Sequence, residues 1–287
     1  MSEQRRLSPA IACPCDGSFL EQTFTYTAPP EGETNFDWTG QDYARRYDRC
    51  RACGHWFGAH ELDLTDLYSG NYVASTYGNR LAVTFERILA LPSQSSDNLG
   101  RRERLLAFAA EQPAFPSFPS LLDVGSGLGV FPYVMKEVGW NCTALDPDPD
   151  ACTHIADRVG VPTISADFMD LQLSELGTYD VVTLNKVVEH VEDACRFLRK
   201  AAELTSPRGF VYLEVPDGDG AASSGPEREE FFVEHHHAFS MASLSATVER
   251  ANLQVIRVDR LVEPSGKFTL ACFAVPRKSC LEGCYGD

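Results

Sequence analysis

From residue 120 onward the chain alternates short apolar runs with longer segments whose apolar residues recur at helical spacing. The runs fall at 121–124, 142–145, 163–164, 180–184, 210–215, 253–258 and 268–274, and each reads as strand-like. Helices fit between most of them, which is the pattern of a doubly wound sheet. The last two runs differ, because only about nine residues lie between them, including the turn-forming Pro264-Ser265-Gly266. That is too short for a crossover helix, so these runs are expected to pair as an antiparallel hairpin. The expected fold is α/β, a seven-stranded doubly wound, mostly parallel sheet ending in an antiparallel hairpin.

Ahead of residue 120 the pattern changes. Pro113, Pro116 and Pro119 break any helix and mark an extended link. Between residues 62 and 110 the spacing is helical, with Leu81, Val83, Phe85, Ile88 and Leu91 followed by Leu105, Leu106 and Phe108. Residues 1–60 hold no long amphipathic helix and contain Cys13, Cys15, Cys50 and Cys53 around a turn-rich stretch with Pro29, Pro30 and Gly32. The expected division is a cysteine-rich, zinc-ribbon-like module at 1–60, connecting helices and a lid at 61–115, the α/β domain at 116–277 and a tail at 278–287.

Composition narrows the function. With 287 residues, 44% of them hydrophobic, the chain can bury a full α/β core and keep a smaller appendage. Its 41 acidic and 25 basic side chains give a net charge of −16, which repels phosphate backbones and anionic lipid surfaces and disfavours nucleic acid as substrate. The opening residues are polar, and no stretch approaches the roughly 20 apolar residues of a membrane span. A cytoplasmic protein is expected, in which ten cysteines remain reduced rather than forming a disulfide framework.

The clearest chemical signal is Asp123-Val124-Gly125-Ser126-Gly127-Leu128-Gly129, which follows one strand and opens a helix. Glycines there let backbone pass close to a ligand while the helix start offers unpaired amides. The next strand ends in Asp146-Pro147, about 20 residues on, where a carboxylate can accept hydrogen bonds from ribose hydroxyls. The spacing departs from the G-x-G-x-x-G of dinucleotide sites. Asp123 to Gly129, Asp146, and the turn Ala166-Asp167-Phe168 resemble the first three motifs of class I S-adenosylmethionine-dependent methyltransferases. The resemblance implies that Asp123 sits near the methionyl end of the cofactor and Asp146 on the ribose, with Asp167 and Phe168 beside the adenine. Asn185 joins this set, and Tyr72 and Tyr77 resemble a tyrosine-rich lid over the cofactor, with an aromatic packing stripe as the alternative.

Two histidines lie past predicted strand ends, where ligands bind in open α/β sheets. His190 follows Glu189 after the fourth strand, and His235 follows Glu234 after the fifth. Histidine is the usual base when methyl transfer requires loss of a proton, so these four residues are the candidate catalytic set. Both turns resemble those of nucleotide-sugar C-methyltransferases, which combine this core with an N-terminal zinc module. In that family a tyrosine stands two positions before the glutamate of the second turn; here the residue is Phe232, so O-methylation of a small polar acceptor ranks ahead of C-methylation. The His235-His236-His237 run is not expected to bind one ion, because neighbouring side chains diverge.

Cys50-Arg51-Ala52-Cys53 has the spacing of half a zinc site, and Cys13-Pro14-Cys15 supplies a tighter second pair. Four such thiolates form a closed, structural site for Zn2+; a histidine-containing set or no metal are the alternatives. The reading is thus a methyltransferase using S-adenosylmethionine on a sugar nucleotide or natural-product intermediate. Two alternatives stand: a zinc-ribbon enzyme acting on RNA or protein, testable by whether Arg45, Arg46, Arg49 and Arg51 form a basic face, and a non-catalytic cofactor-binding scaffold.

Overall fold

The computed structural model describes residues 13–15, 19–33, 43–62 and 81–277. Tyr72, Tyr77, Cys280 and Cys284 lie outside the described residues. The central sheet is built from β4 (Ser120–Val124), β5 (Asn141–Asp146), β6 (Thr163–Ser165), β7 (Tyr179–Asn185), β8 (Thr205–Pro216), β10 (Leu253–Val262) and β11 (Phe268–Pro276). Its seven strands run in the order β10-β11-β8-β7-β4-β5-β6. β11 is antiparallel to both β10 and β8, while the pairs β4–β5, β4–β7, β5–β6 and β7–β8 are parallel. The expected sheet and its closing hairpin are therefore present.

Side chains on these strands alternate between two cores, as the two-residue period of a strand requires. Leu121, Val181, Phe210 and Tyr212 pack on one face, beneath α1 (Leu81–Leu89), α2 (Asp97–Glu111), α3 (Val130–Lys136) and α4 (Pro149–Arg158). Leu122, Val182, Val211 and Leu213 pack on the other, against α6 (Ala194–Glu203) and α8 (Met241–Arg250). Two shorter helices, α5 (Leu173–Leu176) and α7 (Gly218–Ala222), sit in the connections. Local chemistry sets the helix starts: Asp148 caps α4 by accepting from the amide of Asp150 at 2.8 Å, and Pro149 occupies the first turn, where a missing amide costs nothing.

A second sheet forms from β1 (Leu20–Tyr26), β2 (Arg45–Cys50), β3 (Trp56–His60) and β9 (His237–Ala238), in that order. The N-terminal ribbon is thus completed by a strand from the α/β domain, with Trp56 opposite Ala238 and Phe57 opposite His237. A small ribbon has too little surface to bury its own apolar face; here Tyr26, Tyr47 and Trp56 share a core with Ala221, Phe231 and Ala238. Among the described residues no helix is long and apolar enough to cross a membrane.

Candidate active site

A cavity of about 590 Å³ opens at the carboxyl ends of the parallel strands. It straddles the point where β4 has β5 on one side and β7 on the other, the switch point at which open α/β sheets bind ligands. One half is the glycine loop. Gly125, Gly127 and Gly129 all have positive φ, at 71°, 53° and 72°, but their surroundings differ. A Cβ on Gly125 would meet Val187 Cγ2 at 2.5 Å and one on Gly129 would meet Ile155 Cγ1 at 2.7 Å, whereas one on Gly127 would meet nothing within 4 Å among the described residues. Gly127 therefore faces the cavity. Gly129 caps α3 and serves packing; unlike Gly125, Ser126 and Gly127, it does not line the cavity.

Asp146 closes this half. Its carboxylate accepts from the amide of Gly127 at 2.8 Å and from that of Asp148 at 3.0 Å, so it is aimed before any ligand arrives. Burial pushes its pKa up, opposed by those two amides. Pro147 lines the cavity beside it. Asp123, 2% exposed, accepts from Thr183 Oγ1 at 2.7 Å and from Asn185 Nδ2 at 2.9 Å. Burial raises its pKa to about 6, against the lowering effect of these donors. The Asn185 carbonyl oxygen and Arg101 Nε are buried without a hydrogen-bond partner among the described residues, and both residues line the cavity. Unmet groups of this kind suit a zwitterionic amino-acid ligand.

Asp167 and Phe168 stand apart. Asp167 is exposed and accepts from the amide of Met169 at 2.7 Å. Phe168 is 3% exposed, packed on Phe197 with ring centroids 4.8 Å apart. Neither lines the cavity. The motif lies at the expected strand end, but its aromatic ring is spent on the core.

The other half of the cavity carries Glu189, His190, Glu234 and His235, so two turns far apart in sequence converge. His190 Nδ1 donates to the carbonyl of Glu234 at 3.0 Å, and His235 Nδ1 to that of Glu230 at 3.1 Å. Carbonyls only accept, so each neutral ring keeps its lone pair on Nε2. Burial holds His190 down at about 4 and His235 well below the ordinary value, the latter with help from His190. Glu189, 1% exposed, has one carboxylate oxygen without a hydrogen-bond partner among the described residues. Burial lifts its pKa to about 7, with Lys186 opposing.

Sequence reasoning missed several cavity residues: Arg101 on α2, Lys186, Lys267, and Gly32 from the N-terminal segment. Lys186 has φ of 60°, a strained conformation of the kind that gathers at functional sites, yet no pattern in the chain announces it. The four arginines of the module do not form a free basic face. Arg45 pairs with Glu33, Arg46 with Asp48, Arg49 with Asp219 and Arg51 with Glu21.

The four module thiols do converge. Cys13 Sγ lies 3.0 Å from that of Cys15 and 3.4 Å from those of Cys50 and Cys53, and Cys15 lies 4.0 Å from Cys50. A tetrahedral ion with Zn–S bonds of about 2.3 Å separates its sulfurs by roughly 3.8 Å, so the set fits one ion. The three consecutive histidines diverge as expected: His235 faces His190, while His237 contacts His55 at 2.9 Å.

Residues 97–258 match the family model described as a methyltransferase domain. The chain belongs to that family, the S-adenosylmethionine-dependent methyltransferases of Rossmann-like fold. Similar proteins include the ubiquinone biosynthesis O-methyltransferase of Caulobacter vibrioides, 32% identical over 122 residues, covering 39% of this chain and 48% of that protein. The enzyme of the same name from Xanthomonas campestris pv. campestris is 27% identical over 160 residues, covering 52% and 66%. The chain thus spans about half to two-thirds of these relatives' length. Among solved structures, the 1,6-didemethyltoxoflavin-N1-methyltransferase of Burkholderia thailandensis superposes with a TM-score of 0.55 at 16% identity, covering 88% of this chain and 100% of the other. The magnesium protoporphyrin IX methyltransferase of Synechocystis gives 0.54 at 14% identity, covering 75% and 100%. These likenesses define the fold.

Proposed function

We propose that this protein transfers the methyl group of S-adenosylmethionine to a hydroxyl oxygen of a small polar acceptor, with a sugar nucleotide or natural-product intermediate as the leading class. The observation that carries it is the single cavity lined by both the glycine loop with Asp146 and the His190–His235 pair. In this reading Asp146 and Gly127 hold the ribose. Asp123 and the Asn185 carbonyl take the methionyl ammonium, and Arg101 Nε faces its carboxylate. The acceptor oxygen attacks the methyl carbon in line, the carbon–sulfur bond breaks, and the hydroxyl proton passes to Nε2 of the imidazole pair. Glu189 and Glu234 border that pair.

The O-methyltransferase names of the relatives support oxygen as the acceptor atom, as does Phe232, which supplies no phenolic hydroxyl. The paired arginines weigh against the RNA alternative. The four thiols are proposed to hold structural Zn2+, which a reducing cytosol would permit. Calorimetric titration with S-adenosylmethionine and S-adenosylhomocysteine, with NADH as control and Asp146→Ala as the matched variant, tests the cofactor. Binding of both sulfur compounds, lost in the variant, is expected. Binding of NADH alone, or of nothing, overturns the reading.

A further inference from the structure

The cysteine-bearing hairpin grips the segment that carries His235. Tyr47 on β2 donates its phenolic proton to the carbonyl of His235 at 2.6 Å, with that of Phe232 at 3.3 Å. Gly58 on β3 donates its amide to the carbonyl of His236 at 3.0 Å. Arg45 donates to the carbonyl of Phe231 at 2.7 Å, and Glu33 accepts from the amide of Val233 at 2.8 Å. The backbone groups held in this way belong to residues 231–236, which contain Glu234 and His235. The segment passes the constraint onward, because the His236 amide donates to the carbonyl of Glu189 at 2.8 Å and His190 donates to that of Glu234 at 3.0 Å.

The fit leaves no slack at its centre. Tyr47 is 1% exposed, and a Cβ on Gly58 would come within 2.6 Å of the His235 carbonyl oxygen. Cys50 ends β2 and Cys53 lies in the turn before β3, so an ion on the thiols would close the hairpin that delivers both Tyr47 and Gly58. A base displaced by about 1 Å loses on the order of 100-fold in rate, so the backbone that aims an imidazole matters as much as the ring.

We infer that Tyr47 and Gly58 are positioning residues for His235, and that the metal on Cys13, Cys15, Cys50 and Cys53 fixes the aim of the histidine pair through them. The module is then part of the acceptor site rather than a separate appendage. This rests on the reading of the histidines as the acceptor-side groups.

The test uses the full chain and needs no acceptor. Amide hydrogen exchange and the imidazole titration of His235 by NMR are compared in the zinc-loaded protein, Tyr47→Phe, Gly58→Ala and the zinc-stripped protein, with Arg51→Ala as a control that removes only an exposed pair with Glu21. S-adenosylhomocysteine affinity is read separately by calorimetry. Exchange at Val233 and His236 is expected to rise about tenfold in the two variants and on stripping, which corresponds to about 1.4 kcal/mol of local opening. The His235 titration should move toward the ordinary histidine value, with β4 and β5 amides unchanged and S-adenosylhomocysteine affinity within about twofold. Unchanged exchange and titration overturn the inference. So does a rise of equal factor in β4 and β5, which marks plain loss of stability. If Tyr47→Phe fails to fold, Gly58→Ala and zinc removal carry the comparison. Failure of the loaded protein to bind S-adenosylhomocysteine would instead overturn the methyltransferase reading.

Discussion

The imidazole of His190 meets that of His235 edge to face, with ring centroids 4.8 Å apart, and both rings are kept neutral by burial. Their pKa values also govern stability. His60, His190 and His237 are held at about 4, with His154, His235 and His236 also lowered, burial being the first cause in each. A histidine with a lowered folded pKa takes up its proton more readily when unfolded, so stability is lost as pH falls from about 6.5 toward 4, by at most roughly 3 kcal/mol per group shifted to about 4. Asp123 and Glu189, raised to about 6 and about 7, act in the opposite sense, since the folded state keeps their protons longer. The histidines outnumber them. The urea midpoint should therefore fall steeply between pH 6.5 and 4.5, and a flat profile there would contradict the buried, neutral assignment.

Beneath the glycine-loop half of the cavity lies a charge network with a different consequence. Glu214, fully buried, receives Arg101 at 2.5 Å and Arg104 at 2.6 Å. These guanidinium groups outweigh the cost of burial and hold its pKa well below the usual carboxylate range. Arg101→Met removes one partner and leaves a poorly compensated buried charge, at a cost of about 3–5 kcal/mol. A large drop in melting temperature is expected, together with weaker S-adenosylhomocysteine binding. Full stability in the variant would mean that Arg104 alone suffices.

The thiol cluster makes a claim about content. Purified under reducing conditions, the protein should carry close to one zinc per chain, and Cys50→Ser should lose it, because removing one of four ligands opens a closed tetrahedral site. Elemental analysis of both proteins checks this. Wild-type protein that is free of zinc after growth in zinc-supplemented medium would remove the metal reading.

Much of this architecture is legible in the sequence for a physical reason: strands and glycine turns are local, and their periods survive in one dimension. The runs at 121–124 and 210–215, the loop at Gly125 and the closing hairpin all sit where their patterns put them. What escaped is long-range. The pairing of Phe57 with His237 joins segments with no shared pattern, and it makes the N-terminal ribbon continuous with the segment that carries His235. Arg101 reads as one more polar residue on an amphipathic helix until Glu214 is seen beneath it. Phe168 sits in a motif that suggests adenine, yet the nearby Phe197 and Leu198 offer it a core. Burial of a large aromatic ring stabilises by about 2 kcal/mol.

The three glycines of the loop separate folding from binding, which gives the sharpest test of the site. All have positive φ, so alanine at any of them pays a backbone strain of about 1–2 kcal/mol. At Gly129 the added methyl would also meet Ile155 at 2.7 Å, and at Gly125 it would meet Val187 at 2.5 Å. Both clashes are with packed side chains, and overpacking adds about 1–3 kcal/mol. At Gly127 the methyl meets nothing among the described residues, so stability should fall only by the strain. That methyl nevertheless projects into the space where a ligand must approach the Gly127 amide and Asp146. Gly127→Ala is therefore expected to melt within a few degrees of wild type yet to bind S-adenosylhomocysteine at least about tenfold more weakly, while Gly129→Ala should melt far lower and, where it remains folded, bind with nearly unchanged affinity. Thermal melts and calorimetry on the two variants decide it. Reversal of the two patterns would place the cofactor elsewhere in the cavity.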